Sequence, residues 1–108
     1  MLVTLKEILQ IAEEKNIAVG SFNTPNLTSL TAILSAAEDL DLPVIIQFAQ
    51  CHEPWIPLSV IGPVMIQEAK KANVPVCVHL DHGETLEYLQ QALDLGFTSI
   101  MYDGSNLS

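Results

Sequence analysis

The chain has 108 residues and a mass of 11.8 kDa, which is the size of one domain at most. Hydrophobic residues make up 49% and charged residues 16%, a globular composition that excludes a disordered chain. The 13 acidic residues outnumber the 4 basic ones, and the net charge of -9 argues against nucleic acid as a partner and against a polybasic membrane patch.

The sequence offers no targeting or membrane signal. Its apolar runs are as short as residues 44–46, whereas a transmembrane helix needs roughly 20 apolar residues. The N-terminus lacks the charged and apolar regions of a signal peptide. The two cysteines, Cys51 and Cys77, are isolated, so we expect a cytoplasmic protein with reduced thiols and no membrane partner.

Apolar spacing and turn signals predict four helices that alternate with four strands. The first helix begins with a capping-box pattern, Thr4 followed by Glu7, and the fourth is capped by Thr85 and ended by Gly96. The helices are predicted at about 4–15, 28–40, 58–72 and 85–95, and the strands at about 17–22, 44–48, 76–80 and 98–102.

The predicted strands are nearly all apolar, which favours a parallel sheet covered on both faces. Two α/β architectures use this alternation, a doubly wound sheet and a (β/α)8 barrel, and periodicity does not separate them. The sequence contains neither G-x-G-x-x-G nor G-x-x-x-x-G-K-[ST], which argues against a nucleotide-binding doubly wound fold.

The end of the predicted third strand carries the most reactive side chains. His79 and Asp81 share one face of this strand, His82 follows directly, and Gly83 opens the backbone. An imidazole and a carboxylate at one rim are suited to holding a divalent metal and moving a proton. In an equally good interpretation, Asp81 caps the following helix and His82 is a surface residue.

A second cluster of potentially reactive side chains, Cys51-His52-Glu53, follows the second strand. We interpret it as a solvated loop rather than a binding element, with Trp55 packed beneath it. Cys77 lies in the middle of a strand and is interpreted as a core residue, not a nucleophile.

Residues 78–83 (VHLDHG) resemble the third-strand signature of class II, zinc-dependent ketose-bisphosphate aldolases. Residues 20–23 (GSFN), 43–47 (PVIIQ) and 96–105 (GFTSIMYDGS) resemble the other strand motifs of that family in order and spacing. The resemblance implies the N-terminal half of a TIM (β/α)8 barrel, about four βα units with a short extra N-terminal helix. Residues 1–108 would then form one partial barrel, without a second domain.

The resemblance also implies an activity, the reversible cleavage of fructose or tagatose 1,6-bisphosphate to dihydroxyacetone phosphate and glyceraldehyde 3-phosphate, as in glycolysis. The implied cofactor is Zn2+, and the implied small-molecule partner is a sugar bisphosphate. The expected assembly is a homo-oligomer. By motif position, Asp81 would be the catalytic acid/base and His82 a zinc ligand. Asp103 would hold a second or displaced metal or orient the zinc ligands, and Asn23 would contact substrate.

One position departs from the family pattern. Ala49 stands where the family commonly has a serine near the substrate. The other zinc histidines and the phosphate loops of the family correspond to positions beyond residue 108, so we expect the isolated chain to be inactive. Two alternatives remain, a non-catalytic half-barrel that acts through assembly and a metal-dependent lyase for another phosphorylated sugar.

Overall fold

The computed structural model describes residues 1–105 and contains the predicted alternation of helices and strands. The helices are α1 Leu5–Lys15, α2 Leu27–Leu40, α3 Leu58–Lys71 and α4 Leu86–Leu95, and the strands are β1 Ser21–Asn23, β2 Val44–Ala49, β3 Val76–Gly83 and β4 Ser99–Tyr102. A 3-10 turn, Gln50–His52, follows β2. The strands are parallel and lie in the order β1-β2-β3-β4, which confirms the α/β prediction.

The predicted helix ends are confirmed by their hydrogen bonds. The Thr4 side chain accepts from the Glu7 amide while the Glu7 carboxylate accepts from the Thr4 amide, which completes the capping box. Thr85 caps α4, and Gly96 ends it in the left-handed conformation at a φ of 102°. These local signals account for the start of α1 and for both ends of α4.

The two faces of the sheet bury different residues. Every second residue of β2 and of β3 packs with α2, α3 and α4 in the main apolar core. These residues are Val44, Ile46 and Phe48 of β2 and Val76, Val78 and Leu80 of β3. On the opposite face, Ile45 and Cys77 pack against Val3 and Ile8, so α1 covers the amino-terminal end of this face. Cys77 is fully buried there, as predicted for a core residue.

The first strand differs from the prediction, whereas β4 matches the predicted fourth strand. The first strand was expected as a buried run at 17–22, but β1 spans only Ser21–Asn23 and all three residues are exposed. Within residues 1–105, β1 pairs only with β2, and β4 pairs only with β3. Each outer strand therefore has one edge without a partner strand. Large apolar side chains are consequently exposed there, including Phe22 on β1 and Met101 on β4.

Within residues 1–105, none of the helices combines the length and the apolar character that a membrane crossing requires.

The open sheet edges generate a prediction for the isolated 108-residue chain. We expect it to self-associate despite its charge of -9, because two strand edges and their apolar side chains are left unpaired. Size-exclusion chromatography with light scattering measures this directly. Phe22→Lys, which places a charge on the β1 edge, should reduce the association. Leu86→Lys, a matched change at an exposed position on α4, should not. A compact monomer of the unmodified chain would contradict the prediction.

Candidate active site

The strand register aligns four polar residues in one row across the sheet. Asn23 of β1 pairs with Gln47 of β2, Gln47 with His79 of β3, and His79 with Ser99 of β4. Side chains alternate along a strand, so this row faces away from the α2–α4 layer. The residues that follow toward the carboxyl ends include Asp81, which therefore lies above the row.

The Gln47 side chain joins β1 to Asp81. Its Oε1 accepts a hydrogen bond from the Ser21 hydroxyl at 2.5 Å, which directs its amide nitrogen the other way. That nitrogen donates to Oδ1 of Asn23 at 3.0 Å and faces Oδ2 of Asp81 at 3.5 Å. Gln47 therefore presents an N–H group to the Asp81 carboxylate.

His79 approaches the same carboxylate from the other side of the row. Its Nδ1 is 2.6 Å from the Ser99 hydroxyl, and its Nε2 is 3.6 Å from Oδ1 of Asp81. Burial lowers the pKa of His79, and the neighbouring Asp81 charge opposes that effect in part. The ring is therefore a neutral imidazole near pH 7, with its two nitrogens directed at different partners.

A β-bulge brings His82 to the side of the sheet where Asp81 lies. The β3–β4 register shifts between Leu80 and Gly83, and His82 adopts a left-handed backbone at a φ of 51°. Its Nδ1 then lies 3.0 Å from Oδ2 of Asp103, and its Nε2 lies 3.4 Å from Oδ2 of Asp81. In a regular strand, two consecutive side chains would point to opposite faces.

The charges at this rim stabilise one another. The hydrogen bond that His82 donates to Asp103 raises the pKa of His82, and the Asp81 charge adds to the effect. Hydrogen bonds from Ser105, and then the contact with His82, lower the pKa of Asp103 to about 2. Asp103 is therefore an anion that fixes the orientation of the imidazole.

The structure tests the interpretation of Asp81 as a helix cap. The residue that caps α4 is Thr85, whose hydroxyl accepts from the Tyr88 amide at 3.1 Å, so the capping role suggested for Asp81 is wrong. Gly83 does not itself adopt a left-handed backbone, since the left-handed residue of β3 is His82. A Cβ on Gly83 would lie 2.6 Å from a methyl carbon of Leu89.

The loop between β2 and α3 is fixed by side-chain hydrogen bonds. Oε2 of Glu53 accepts from the Leu58 amide at 2.8 Å, at the start of α3, and also accepts from the Tyr88 hydroxyl. Burial raises the pKa of Tyr88, and the Glu53 carboxylate raises it further. The expectation that Trp55 packs beneath this loop is wrong, because the residue is 79% exposed.

The residues that the structure describes do not form a complete metal site. Within residues 1–105, no three His, Cys, Asp or Glu side chains come together in a way that could hold a metal ion. His82 has the arrangement of a single metal ligand, because Asp103 contacts its Nδ1, while its Nε2 faces the rim and lies 3.4 Å from Oδ2 of Asp81. Both oxygens of Asp103 are already engaged, one by His82 and one by the Ser105 amide.

Three of the four residues singled out in the sequence come together in the fold. Asp81, His82 and Asp103 form a continuous chain of contacts, and Asn23 reaches Asp81 through Gln47. Sequence reasoning placed His79 and Asp81 on one face of the third strand, which the register confirms, but it did not identify Ser99 or the contact of Gln47 with Asp81. A signal was present: each is a polar residue inside an otherwise apolar strand, the opposite of what a covered sheet requires.

Comparisons with known proteins agree on one family. The family model described as fructose-bisphosphate aldolase class-II matches residues 3–108. A 6-phospho-5-dehydro-2-deoxy-D-gluconate aldolase from Halalkalibacterium halodurans is 41% identical over 97% of this chain and 38% of its own length. A fructose-bisphosphate aldolase from Thermus caldophilus is 42% identical over 98% of this chain and 34% of its own length. The chain thus spans between a third and two fifths of these relatives.

Solved structures show the same fold. The YdjI aldolase from Escherichia coli K12 superposes on the whole chain with a TM-score of 0.92 at 32% identity, and 41% of that protein is covered. A protein from Coccidioides immitis, described as a putative fructose-1,6-biphosphate aldolase, superposes on 94% of the chain with a TM-score of 0.82 at 29% identity. The four βα units therefore correspond to half of an aldolase TIM barrel, as predicted.

The Glu53 contacts yield a stability prediction. Tyr88→Phe should lower the free energy of unfolding by about 1 to 2 kcal/mol, because a hydrogen bond to a charged group is lost while the ring still packs. Chemical denaturation followed by circular dichroism measures this change. Tyr102→Phe, at an exposed position on β4, is the matched control and should have little effect. Equal effects of the two substitutions would show that the Glu53 contact contributes nothing.

Proposed function

The chain belongs to the class-II fructose-bisphosphate aldolase family, and we propose that it supplies the proton-transfer group and one metal ligand of a zinc-dependent ketose-bisphosphate aldolase. The observation that carries this proposal is the rim around Asp81. There the Asp81 carboxylate lies 3.5 Å from the Gln47 amide nitrogen and 3.4 Å from the His82 ring, whose other nitrogen contacts Asp103. The chain alone spans only part of its relatives, so the activity is proposed for the natural gene product that contains it.

His82 is the residue we propose as a zinc ligand. The Asp103 carboxylate on its Nδ1 supports this role, because metal-binding histidines commonly give their second nitrogen to such a partner. We propose Asp103 as the orienting residue rather than as a ligand of a second metal. When bound, zinc acts as a Lewis acid that polarises the ketone of the substrate and stabilises negative charge at that end.

Asp81 is the residue we propose for proton transfer. In the cleavage direction its carboxylate takes the proton of the C4 hydroxyl, the C3–C4 bond breaks, and C4 leaves as the aldehyde. The electron pair of that bond passes to the ketone-derived fragment as an enediolate. In condensation the same carboxylic acid returns the proton to the new hydroxyl group. The position of Asp81 at the open rim, with only part of its side chain exposed, supports contact with a substrate.

Fructose and tagatose bisphosphates are the substrates we propose first, with the fructose reaction belonging to glycolysis in the cytoplasm. Asn23 is the proposed substrate contact. Its Oδ1 already accepts from Gln47, so its amide nitrogen would donate to the sugar. A second substrate class, another phosphorylated keto sugar, is favoured by Ala49 at a family serine position and by the Halalkalibacterium relative.

A substrate panel separates these proposals. The natural gene product is assayed with fructose 1,6-bisphosphate, tagatose 1,6-bisphosphate and 6-phospho-5-dehydro-2-deoxy-D-gluconate, with added zinc and again with a chelator. Zinc-dependent cleavage of a bisphosphate supports the first proposal, and cleavage of the third compound alone supports the second. No cleavage of any compound would favour the non-catalytic half-barrel. We expect the isolated 108-residue chain to be inactive, and we expect the active form to be a homo-oligomer.

Asp81→Asn should lower kcat by about 10²-fold or more, because the amide keeps the size of the side chain but cannot accept the proton. The zinc content, measured by elemental analysis, should stay at the wild-type level. Asp39→Asn, an exposed carboxylate on α2, is the matched control and should change neither quantity. Loss of zinc together with activity would reassign Asp81 as a ligand.

His82→Ala should remove zinc and activity together, because a catalytic zinc has about three protein ligands and tolerates the loss of one poorly. Asp103→Asn should have a weaker effect in the same direction, since it disturbs the orientation of the ligand and not the ligand itself. Elemental analysis after dialysis measures both. Full zinc occupancy in the His82 variant would rule out the proposed ligand role.

A further inference from the structure

The two oxygens of the Asp81 carboxylate have different neighbours. The Gln47 amide and the His82 ring both face Oδ2, at 3.5 and 3.4 Å. His79 faces Oδ1, at 3.6 Å from its Nε2. If His79 were absent, the carboxylate would be held at one oxygen only and could rotate about its bond to Cβ.

We propose that His79 is a positioning residue, fixed in its Nε2–H tautomer by Ser99, that holds the Oδ1 side of the Asp81 carboxylate. The inference rests on the proposed function of Asp81 and adds the residue that orients it. His79 lies in the row below Asp81, two residues nearer the amino-terminal end of β3, so Asp81 stands between it and the rim. It therefore acts through Asp81 rather than on the substrate.

The geometry selects the tautomer. If Nδ1 carried the proton, it would donate to the Ser99 hydroxyl, and the Nε2 lone pair would then face the negative charge of Asp81. With the proton on Nε2, the Ser99 hydroxyl donates to Nδ1 at 2.6 Å and the ring presents an N–H group to the carboxylate. The second arrangement replaces a repulsion by an attraction, and burial disfavours the doubly protonated ring.

The contact between His79 and Asp81 is longer than a hydrogen bond in this structure, so it acts at present through electrostatic attraction. Hydrogen bonds in an active site are commonly long without substrate and shorten in the reacting complex. A small rotation of the Asp81 carboxylate toward His79 would shorten the contact, while the 2.6 Å contact with Ser99 keeps the ring in place.

Nitrogen-15 NMR of the natural gene product tests the tautomer without any assay of activity. The rings of the three histidines in this chain are assigned by replacing one histidine at a time. We expect His79 to carry its proton on Nε2, and we expect Ser99→Ala to weaken this preference. Ser59→Ala, on the exposed surface of α3, is the control and should leave the His79 signals unchanged. An Nδ1–H tautomer in the wild-type chain would overturn the proposal.

Two substitutions of His79 test the positioning role in the natural gene product. A glutamine side chain reaches about as far as Nε2 and keeps an N–H group near Asp81, whereas an asparagine reaches only to the level of Nδ1. His79→Asn should lower kcat by about 10- to 100-fold, the range seen when a supporting partner of an active-site group is lost. KM should change little, and His79→Gln should recover much of the lost rate.

The outcomes separate this inference from the proposed function. If the wild-type gene product cleaves none of the sugars, the proposed function fails, and NMR still decides the tautomer of His79. If the wild type is active and both His79 variants have the wild-type kcat, the positioning role is wrong. The role is also wrong if His79→Gln and His79→Asn lower kcat equally, because the retained N–H group of glutamine then makes no difference. A rise in KM at constant kcat would instead place His79 in contact with the substrate.

Discussion

The candidate site depends on the register of parallel strand pairing. Backbone hydrogen bonds between neighbouring strands fix which residues lie side by side, and a shift by one residue would turn each side chain to the opposite face. Here the register aligns Asn23, Gln47, His79 and Ser99 in one row. Because the four strands are parallel, their carboxyl ends meet at the same edge, and the reactive groups gather there.

One break in this regular pattern makes the site possible. The bulge in β3 gives His82 a left-handed backbone, which costs on the order of 1 kcal/mol or more for a residue with a side chain. In return His82 lies on the side where Asp81 lies and contacts Asp103. Gly83 lets α4 and β4 pack closely against the bulge, since a Cβ would meet both Leu89 and the Met101 carbonyl.

The two faces of the sheet have separate tasks. The face toward α2, α3 and α4 is an apolar core that provides most of the buried surface. The opposite face is apolar only where α1 covers it, at Ile45 and Cys77, and becomes polar from Gln47 onward. Stability is therefore concentrated on one face, and the polar groups of the other are free to interact with one another and with a ligand.

The sequence by itself determined the alternation of helices and strands, the caps at Thr4, Thr85 and Gly96, and the polar ends of the strands, because these signals are local in the chain. The sequence motifs also identified the family. Only the tertiary structure decided the pairing of His82 with Asp103, the exposure of β1, and the row that holds Asp81. These features depend on strand register and on a bulge, which join residues far apart in the chain and leave no local pattern.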